Sequence, residues 1–227
     1  MKKVIFIVCL WAVLPCCLKA QTAAAYLQQV TTQIAAKKWK EAADAYRQAI
    51  GADVRRAEIY YRTEVDKNIP VAMRFAEELA VYYKNTRDYE RAYTYYGQLL
   101  EKKPTDVNYL SGSAECAFGL GKTDEAVTLY GQIISIDTNN LRANIFLGSY
   151  YFMRAEQSKK QLDKTFLAIK SPTSMQRARY HDDLKALFGG DYTRAKNYLD
   201  SVQKLFRSTE AVKMLATIGE REKEING

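Results

Sequence analysis

The apolar positions of the chain fall in short clusters with a fixed internal step. Between Met73 and Asn140 two of these clusters superimpose without a gap. Ala92, Tyr96 and Leu99 in the first fall on Ala126, Tyr130 and Ile133 in the second, each pair 34 residues apart. Steps of four and then three residues put all three side chains on one face of a helix. A small residue lets that helix cross a neighbour closely, a ring one turn on fills the space between them, and a third apolar residue continues the face. Ala42, Tyr46 and Ala49 keep the same steps behind Trp39, as do Ala195, Leu199 and Val202. The punctuation agrees. Pro104 ends one unit, because proline cannot continue a helix. Gly121 lies where a turn between two helices needs a positive φ, and Asp88 and Thr123 are placed to cap the helices that follow.

A period of 34 residues, two helices long, resembles the tetratricopeptide repeat. The first-helix pattern of that family, W-x2-L-G-x2-Y, is partly present as Leu79-Ala80-x2-Tyr83 and Leu147-Gly148-x2-Tyr151, without the tryptophan in either. The resemblance implies an all-α fold, a right-handed α-solenoid of about five helix pairs with a C-terminal capping helix. The units expected are residues 23–54, 73–106, 107–140, 141–175 and 176–208, with a cap helix over 209–225. Ala42 and Ala92 are 50 residues apart, 16 more than one repeat, so 55–72 is an insertion. Ala57, Ile59, Tyr60 and Tyr61 make it helical, compatible with an extension of the helix before it. Asn68-Ile69-Pro70 reads as a helix start with proline in the first turn.

The last two units fit less well. Strict register puts Lys160 and Lys164 at the small and ring positions of a second helix. Sliding by two residues gives Leu162-x3-Phe166-x2-Ile169, so a longer first helix or a looser turn is expected there. Gly189-Gly190-Asp191 is expected to form the turn of the last unit, after a helix lined by Tyr180, Leu184 and Leu187. Ala211, Val212, Leu215 and Ile218 are expected on the inner face of the cap, whose charged back keeps the end of the array soluble. Most of the 17 tyrosines fit positions between helices, as core rings rather than a ligand cage.

The first 20 residues change the picture of where the protein works. Lys2 and Lys3 precede an apolar run of 11 residues, Val4 to Leu14, and Ala20 offers a small residue for cleavage before Gln21. This is the pattern of a secretory signal peptide, too short to span a bilayer. No later stretch is apolar enough for a transmembrane helix. Cys16 and Cys17 raise the alternative of a lipoprotein, although Pro15 fits the site before an acylated cysteine poorly. Cleavage after Ala20 leaves Cys116 alone and excludes an internal disulfide. Beside Ala114 and Ala117, Cys116 reads as a core residue.

Charge is uneven. The formal net charge is +8, of which Lys2, Lys3 and Lys19 supply three. Residues 21–153 hold 16 basic and 16 acidic side chains, and residues 180–227 hold 8 of each. Residues 154–179 hold 7 basic and 2 acidic, so the remaining excess sits in the irregular unit. On a helix Leu162, Phe166 and Ile169 share one face, and Lys159, Lys160 and Lys164 are expected to project away from it toward an anionic envelope surface or into solvent.

Catalytic chemistry is not visible. His181 is the single histidine, so a zinc site lacks its usual ligands and a triad would rest on that residue alone. Asp182 and Asp183 diverge by about 100° on a helix and do not face each other. Gly189-Gly190 lacks the spacing and the lysine of a phosphate loop. The expectation is a non-enzymatic scaffold without cofactor or metal. It would be exported to the periplasm or envelope and bind a protein or peptide partner, not nucleic acid. The alternative is a structural subunit of an outer-membrane assembly or secretion complex. In the family, first helices line the concave side, which points to Arg74, Glu78, Asn108, Glu115, Arg142 and Ser149 as partner-binding residues. Lys159, Lys160 and Lys164 join them from the basic segment. The family's best-known peptide clamp is not reproduced: Glu77, Val81, Gly112 and Phe146 stand at several of its positions, and Arg142 alone matches in charge.

Overall fold

The computed structural model describes residues 22–226, and every described element is helical. The signal peptide expected at residues 1–20, with Cys16 and Cys17, lies outside the described residues. The described chain falls into two compact units that divide at Thr123.

Unit 1 holds α1 (22–35), α2 (Trp39–Ala52), α3 (Val54–Thr63), α4 (Ala72–Asn85), α5 (Tyr89–Lys102) and α6 (Val107–Gly119). The small-ring-apolar triads lie where the spacing put them. Ala42, Tyr46 and Ala49 are fully buried, and Ala92, Tyr96 and Leu99 nearly so. Tyr46 stacks on Phe75 of α4 with ring centroids 4.2 Å apart, and its hydroxyl donates to the Ala57 carbonyl at 2.9 Å. The ring fills the gap between helices while its polar tip finds an acceptor. The Tyr96 ring lies on α6 at Gly112, where a Cβ would overlap the ring atoms. Burial pushes the Tyr96 hydroxyl up to about 12. It also pushes the Cys116 thiol up to about 11, despite the nearby Lys84 charge.

The turns after α1, α4 and α6 are built alike. Lys37, Arg87 and Gly121 have φ of 56°, 62° and 76°. The next amide in each case donates back to a carbonyl five residues earlier: Lys38 to Gln33, Asp88 to Tyr83 and Lys122 to Ala117, all at 2.9 Å. This is the left-handed helix stop that satisfies otherwise orphaned carbonyls. Gly121 was legible as such a position. Lys37 and Arg87 were not, because only glycine announces a positive φ.

The insertion is helical but does not extend α2. Asp53 breaks the chain with an extended backbone (φ −158°, ψ 96°), and its side chain accepts from the Arg56 amide at 3.1 Å to start α3. Pro70 stands ahead of α4, which begins at Ala72 after a turn closed by the Ala72 amide on the Ile69 carbonyl.

Unit 2 holds α7 (Thr123–Ile136), α8 (Leu141–Leu167), α9 (Ser174–Leu187), a π-helical turn (Phe188–Tyr192), α10 (Thr193–Leu205) and α11 (Thr209–Asn226). Thr123 is the first residue of α7 rather than its cap. Ala126, Tyr130 and Ile133 are buried as expected, and Tyr130 packs on Phe146 with centroids 4.3 Å apart.

The helix pairs expected at 141–175 and 176–208 are replaced by one long hairpin. The 27 residues of α8 run for about 40 Å. They are answered antiparallel by α9, the π turn and α10. Leu199 meets Gly148, Tyr198 meets Tyr151, Asp191 meets Arg154, Tyr192 meets Glu156 and Tyr180 meets Asp163. The two residue numbers add to nearly the same value each time, which is the mark of an antiparallel pair. Leu162 and Phe166 therefore belong to the far half of a first helix, not to a second one. The expected turn at Gly189-Gly190-Asp191 is absent: both flanking residues, Leu187 and Thr193, keep helical dihedrals. The wide π turn absorbs an extra residue, so that Leu184, Tyr192, Ala195, Leu199 and Val202 can all turn inward. Of the expected inner face of α11, Ala211 and Ile218 are buried, but Val212 is exposed because it lies about 100° from its neighbour.

Candidate interaction surfaces

In unit 1 the residues expected to bind a partner lie on α4 and α6, and several already serve each other. Glu78 accepts from the Arg47 Nε of α2 at 2.9 Å and pairs with Arg74 at 3.1 Å. Arg74 also holds Glu77 at 2.9 Å. Glu115 pairs with Lys84 of the neighbouring first helix at 2.9 Å. Glu78 and Glu115 therefore tie helices together, whereas Arg74 and Asn108 present exposed side chains. Val81 and Phe118 add exposed apolar surface on the same two helices. Sequence reasoning missed Arg47 and Lys84 because an ion pair between helices leaves no trace in local spacing.

A second feature of unit 1 is made by the insertion. Glu58 of α3 accepts from the hydroxyls of Tyr83 and Tyr95 at 2.6 and 2.8 Å. Burial, and then the Glu58 hydrogen bond, drive both phenols well above the ordinary range. Beside them Glu58, Arg62, Arg91, Thr94, Tyr95 and Gln98 line a groove of about 350 Å³. Nothing in the sequence marked Glu58, because its partners lie 25 and 37 residues away.

In unit 2 Arg142 is exposed and Ser149 half-buried on the near half of α8. Ile145 and Met153 flank Ser149 one turn to either side, and both are exposed. The far half is organised by charge. Glu156 accepts from Arg221 Nε and Nη2, both at 3.1 Å, and from the Tyr192 hydroxyl. Arg221 reaches Glu224 at 2.8 Å, Glu224 reaches Lys159 at 3.1 Å, and Lys159 holds Asp163 at 2.8 Å. Tyr180 donates to the other Asp163 oxygen at 2.6 Å. Burial alone would raise the Glu156 and Asp163 carboxyls. Hydrogen bonds from Arg221 and Tyr192 to the first, and from Lys159 and Tyr180 to the second, outweigh it and hold both below the ordinary range.

This network corrects the expectation for Lys159. Its side chain points inward and is only 13 % exposed, tied to two carboxylates. Arg154 is likewise committed, with Asp191 and the Tyr150 hydroxyl as partners. Lys160 and Lys164 project outward as expected. His181 meets the Ile225 carbonyl at 2.8 Å and helps to seat α11.

Comparison with known proteins agrees with this architecture. The profile of the tetratricopeptide repeat matches residues 77–140. A crystal structure from Bacteroides ovatus ATCC 8483, described as that of a candidate protein-binding protein, is 42 % identical. The match covers 89 % of this chain and 99 % of that one, with a TM-score of 0.82. A tetratricopeptide repeat protein from Parabacteroides merdae ATCC 43184 is 14 % identical over 89 % of this chain and 74 % of its own, with a TM-score of 0.40. The MamA protein is 15 % identical over 90 % of this chain and 94 % of its own, with a TM-score of 0.38. No curated protein matches the sequence. With the repeat profile, the shared register and a 42 % identical relative matched over 99 % of its own length, the chain belongs to the tetratricopeptide repeat family.

Proposed function

We propose that the protein is a non-enzymatic scaffold of the bacterial cell envelope, exported through its first 20 residues. It holds a peptide or partner protein against the exposed faces of its first helices. The observation that carries this reading is the mixed surface of those helices. Arg74, Val81, Asn108 and Phe118 in unit 1, and Arg142, Ile145, Ser149 and Met153 in unit 2, combine exposed apolar side chains with polar ones that fix register. The Bacteroides ovatus relative, described as a candidate protein-binding protein, supports the same class. The groups that could have suggested chemistry have structural duties instead. His181 is bound to a carbonyl, and the Cys116 thiol is buried with its pKa pushed up to about 11, away from a reactive thiolate. Glu78 and Glu115 act one step back, by holding α2, α4 and α6 in register.

A photo-crosslinking side chain placed at Asn108 or Ser149 in producing cells tests the proposal. A discrete crosslinked protein, identified by mass spectrometry and absent when the same group replaces exposed Glu90 of α5, is the expected result. Equal labelling from all three positions would refute the first-helix surface. The native amino terminus is read in the same spectra: Gln21 is expected, and a diacylated Cys17 would place the protein among lipoproteins.

A further inference from the structure

We infer that the free end of the α8–α9 hairpin is a docking tip for an anionic lipid surface. This goes beyond the scaffold reading and does not depend on it. The tip carries Leu167 at 79 % exposure and Met175 at 82 %, one on each arm. Lone exposed apolar residues are ordinary, but here cations surround them. Lys160, Lys164 and Leu167 follow at steps of four and three on one face of α8. Lys170 lies in the connection, and Arg177 and Arg179 open α9. All five cations are exposed. Among the described residues none of them is in an ion pair. The acid nearest in sequence, Asp163, is already held by Lys159 and Tyr180. Asp182 and Asp183 lie farther back along α9, about 10 Å or more behind Met175, and would stay in water when the tip touches a membrane.

The tip is built to present these side chains. Thr173 and Gln176 form a reciprocal capping box, with hydrogen bonds of 3.2 and 2.8 Å, so Met175 is fixed in the first turn of α9. Behind it the Phe166 and Tyr180 rings stack at 4.2 Å and button the two arms together. Leucine and methionine can enter the boundary of headgroups and acyl chains while lysine and arginine stems extend toward phosphates. A folded acidic protein is the weaker match. Among the described residues the exposed large apolar side chains of the tip are Leu167 and Met175, with no exposed aromatic anchor to give a stereospecific fit.

Sedimentation of the purified full chain with vesicles tests this. Phosphatidylcholine vesicles are compared with vesicles containing about 30 % phosphatidylglycerol. The chain should bind the anionic vesicles about tenfold more strongly or better, and lose this as salt rises. Lys160→Glu with Lys164→Glu, and separately Leu167→Ser with Met175→Ser, should each lower binding about tenfold or more with unchanged circular dichroism. Lys102→Glu with Lys103→Glu on unit 1 changes the net charge equally and should bind like the parent. The apolar segment at residues 4–14 is common to all of them and cannot produce a difference. In Met175→Trp the added indole should shift to the blue on anionic vesicles, against the parent as blank. Tip variants that bind like the parent, or a unit 1 variant that loses as much as the lysine pair, overturn the proposal. So does a parent that ignores anionic vesicles but is retained by polyglutamate, which would make the partner an acidic polypeptide.

Discussion

Unit 1 and the far half of the unit 2 hairpin solve the same problem, holding helices side by side, with different materials. Unit 1 relies mainly on rings and small residues, with Tyr46 on Phe75, Tyr96 on Gly112, and Ala42, Ala49 and Ala92 at close crossings, and adds the Arg47–Glu78 and Lys84–Glu115 pairs at its surface. Between Glu156 and Asp191, Leu184 is the one buried side chain among the described residues. The hairpin there is held by one ring stack and a run of ion pairs. Burial of rings is insensitive to pH and salt, whereas half-exposed charges are screened and titratable. The contrast therefore predicts a firm unit and a hairpin whose far end opens first.

The largest effect should come from cutting the ring packing. Tyr46→Ala removes a fully buried ring and leaves a cavity between α2 and α4. It should cost about 3–5 kcal/mol, as large-to-small changes of aromatic residues do. Tyr180→Ala removes a half-exposed ring and should cost clearly less. Urea unfolding of both variants measures the ratio. Equal losses would mean that the two regions are not held differently.

Acid should separate the regions without any mutation. Glu156 and Asp163 have pKa values depressed in the folded state. A depressed carboxylate contributes stability that is present above its unfolded pKa, about 4.3 for glutamate and 3.9 for aspartate. That contribution is lost as pH falls through the folded value. Amide resonances of Lys159 and Tyr180 should therefore begin to move below about pH 4 while those of Tyr46 and Phe75 hold. Simultaneous change in both sets would defeat the prediction.

The same division explains what the sequence made legible. The triads of α2, α5, α7 and α10 could be read because a packed helix crossing restricts residue size at steps of four and three, and size is visible in a sequence. The far half of α8 could not. Its positions are set by charges whose partners come from α9 and α11, so Lys159 looked like part of an open basic face although it reaches Glu224. The glycine pair at 189–190 misled for a related reason. Glycine permits a turn without requiring one, and here it sits in a π-helical segment that re-phases the hairpin. Among the expected partner residues, Arg74, Asn108, Arg142, Lys160 and Lys164 are exposed. Glu78 and Glu115 were claimed by Arg47 and Lys84 of neighbouring helices, through contacts that no single repeat contains.

Glycine substitutions sharpen the comparison at a smaller scale. Gly189 and Gly190 are helical, and an added Cβ at either meets nothing within 4 Å. Alanine there should stabilise unit 2 by up to about 1 kcal/mol per site, the helical difference between the two residues. Gly121 has a φ of 76° although its surroundings are equally open. Alanine at Gly121 should destabilise by about 1–2 kcal/mol, the cost of the left-handed conformation for a residue with a Cβ. Thermal unfolding should thus move in opposite directions for substitutions that look alike. A loss at 190 would mean that the π turn needs its glycine.

The smallest effect concerns the turn between α4 and α5, where Arg87 occupies the same conformation as Gly121 with a φ of 62°. Arg87→Gly should remove about 1–2 kcal/mol of backbone strain. Two terms oppose the gain. Glycine has more freedom to lose on folding, about 0.4–1 kcal/mol. A positive side chain just past the end of α4 is favourable with the helix dipole by about 0.3–1 kcal/mol. The Asp88 carboxylate, which also caps α5, lies 3.3 Å from the Arg91 amide and keeps its partners whatever stands at 87. The net result stays within about 1 kcal/mol of the parent at low salt and shifts toward stabilisation as added salt screens the dipole interaction. The urea midpoint of Arg87→Gly should therefore lie close to that of the parent at low salt, and at or above it in high salt. A midpoint clearly below the parent at both salt concentrations would show that Arg87 holds the turn by a contact of its side chain, and that the three left-handed turns of unit 1 are alike in backbone only.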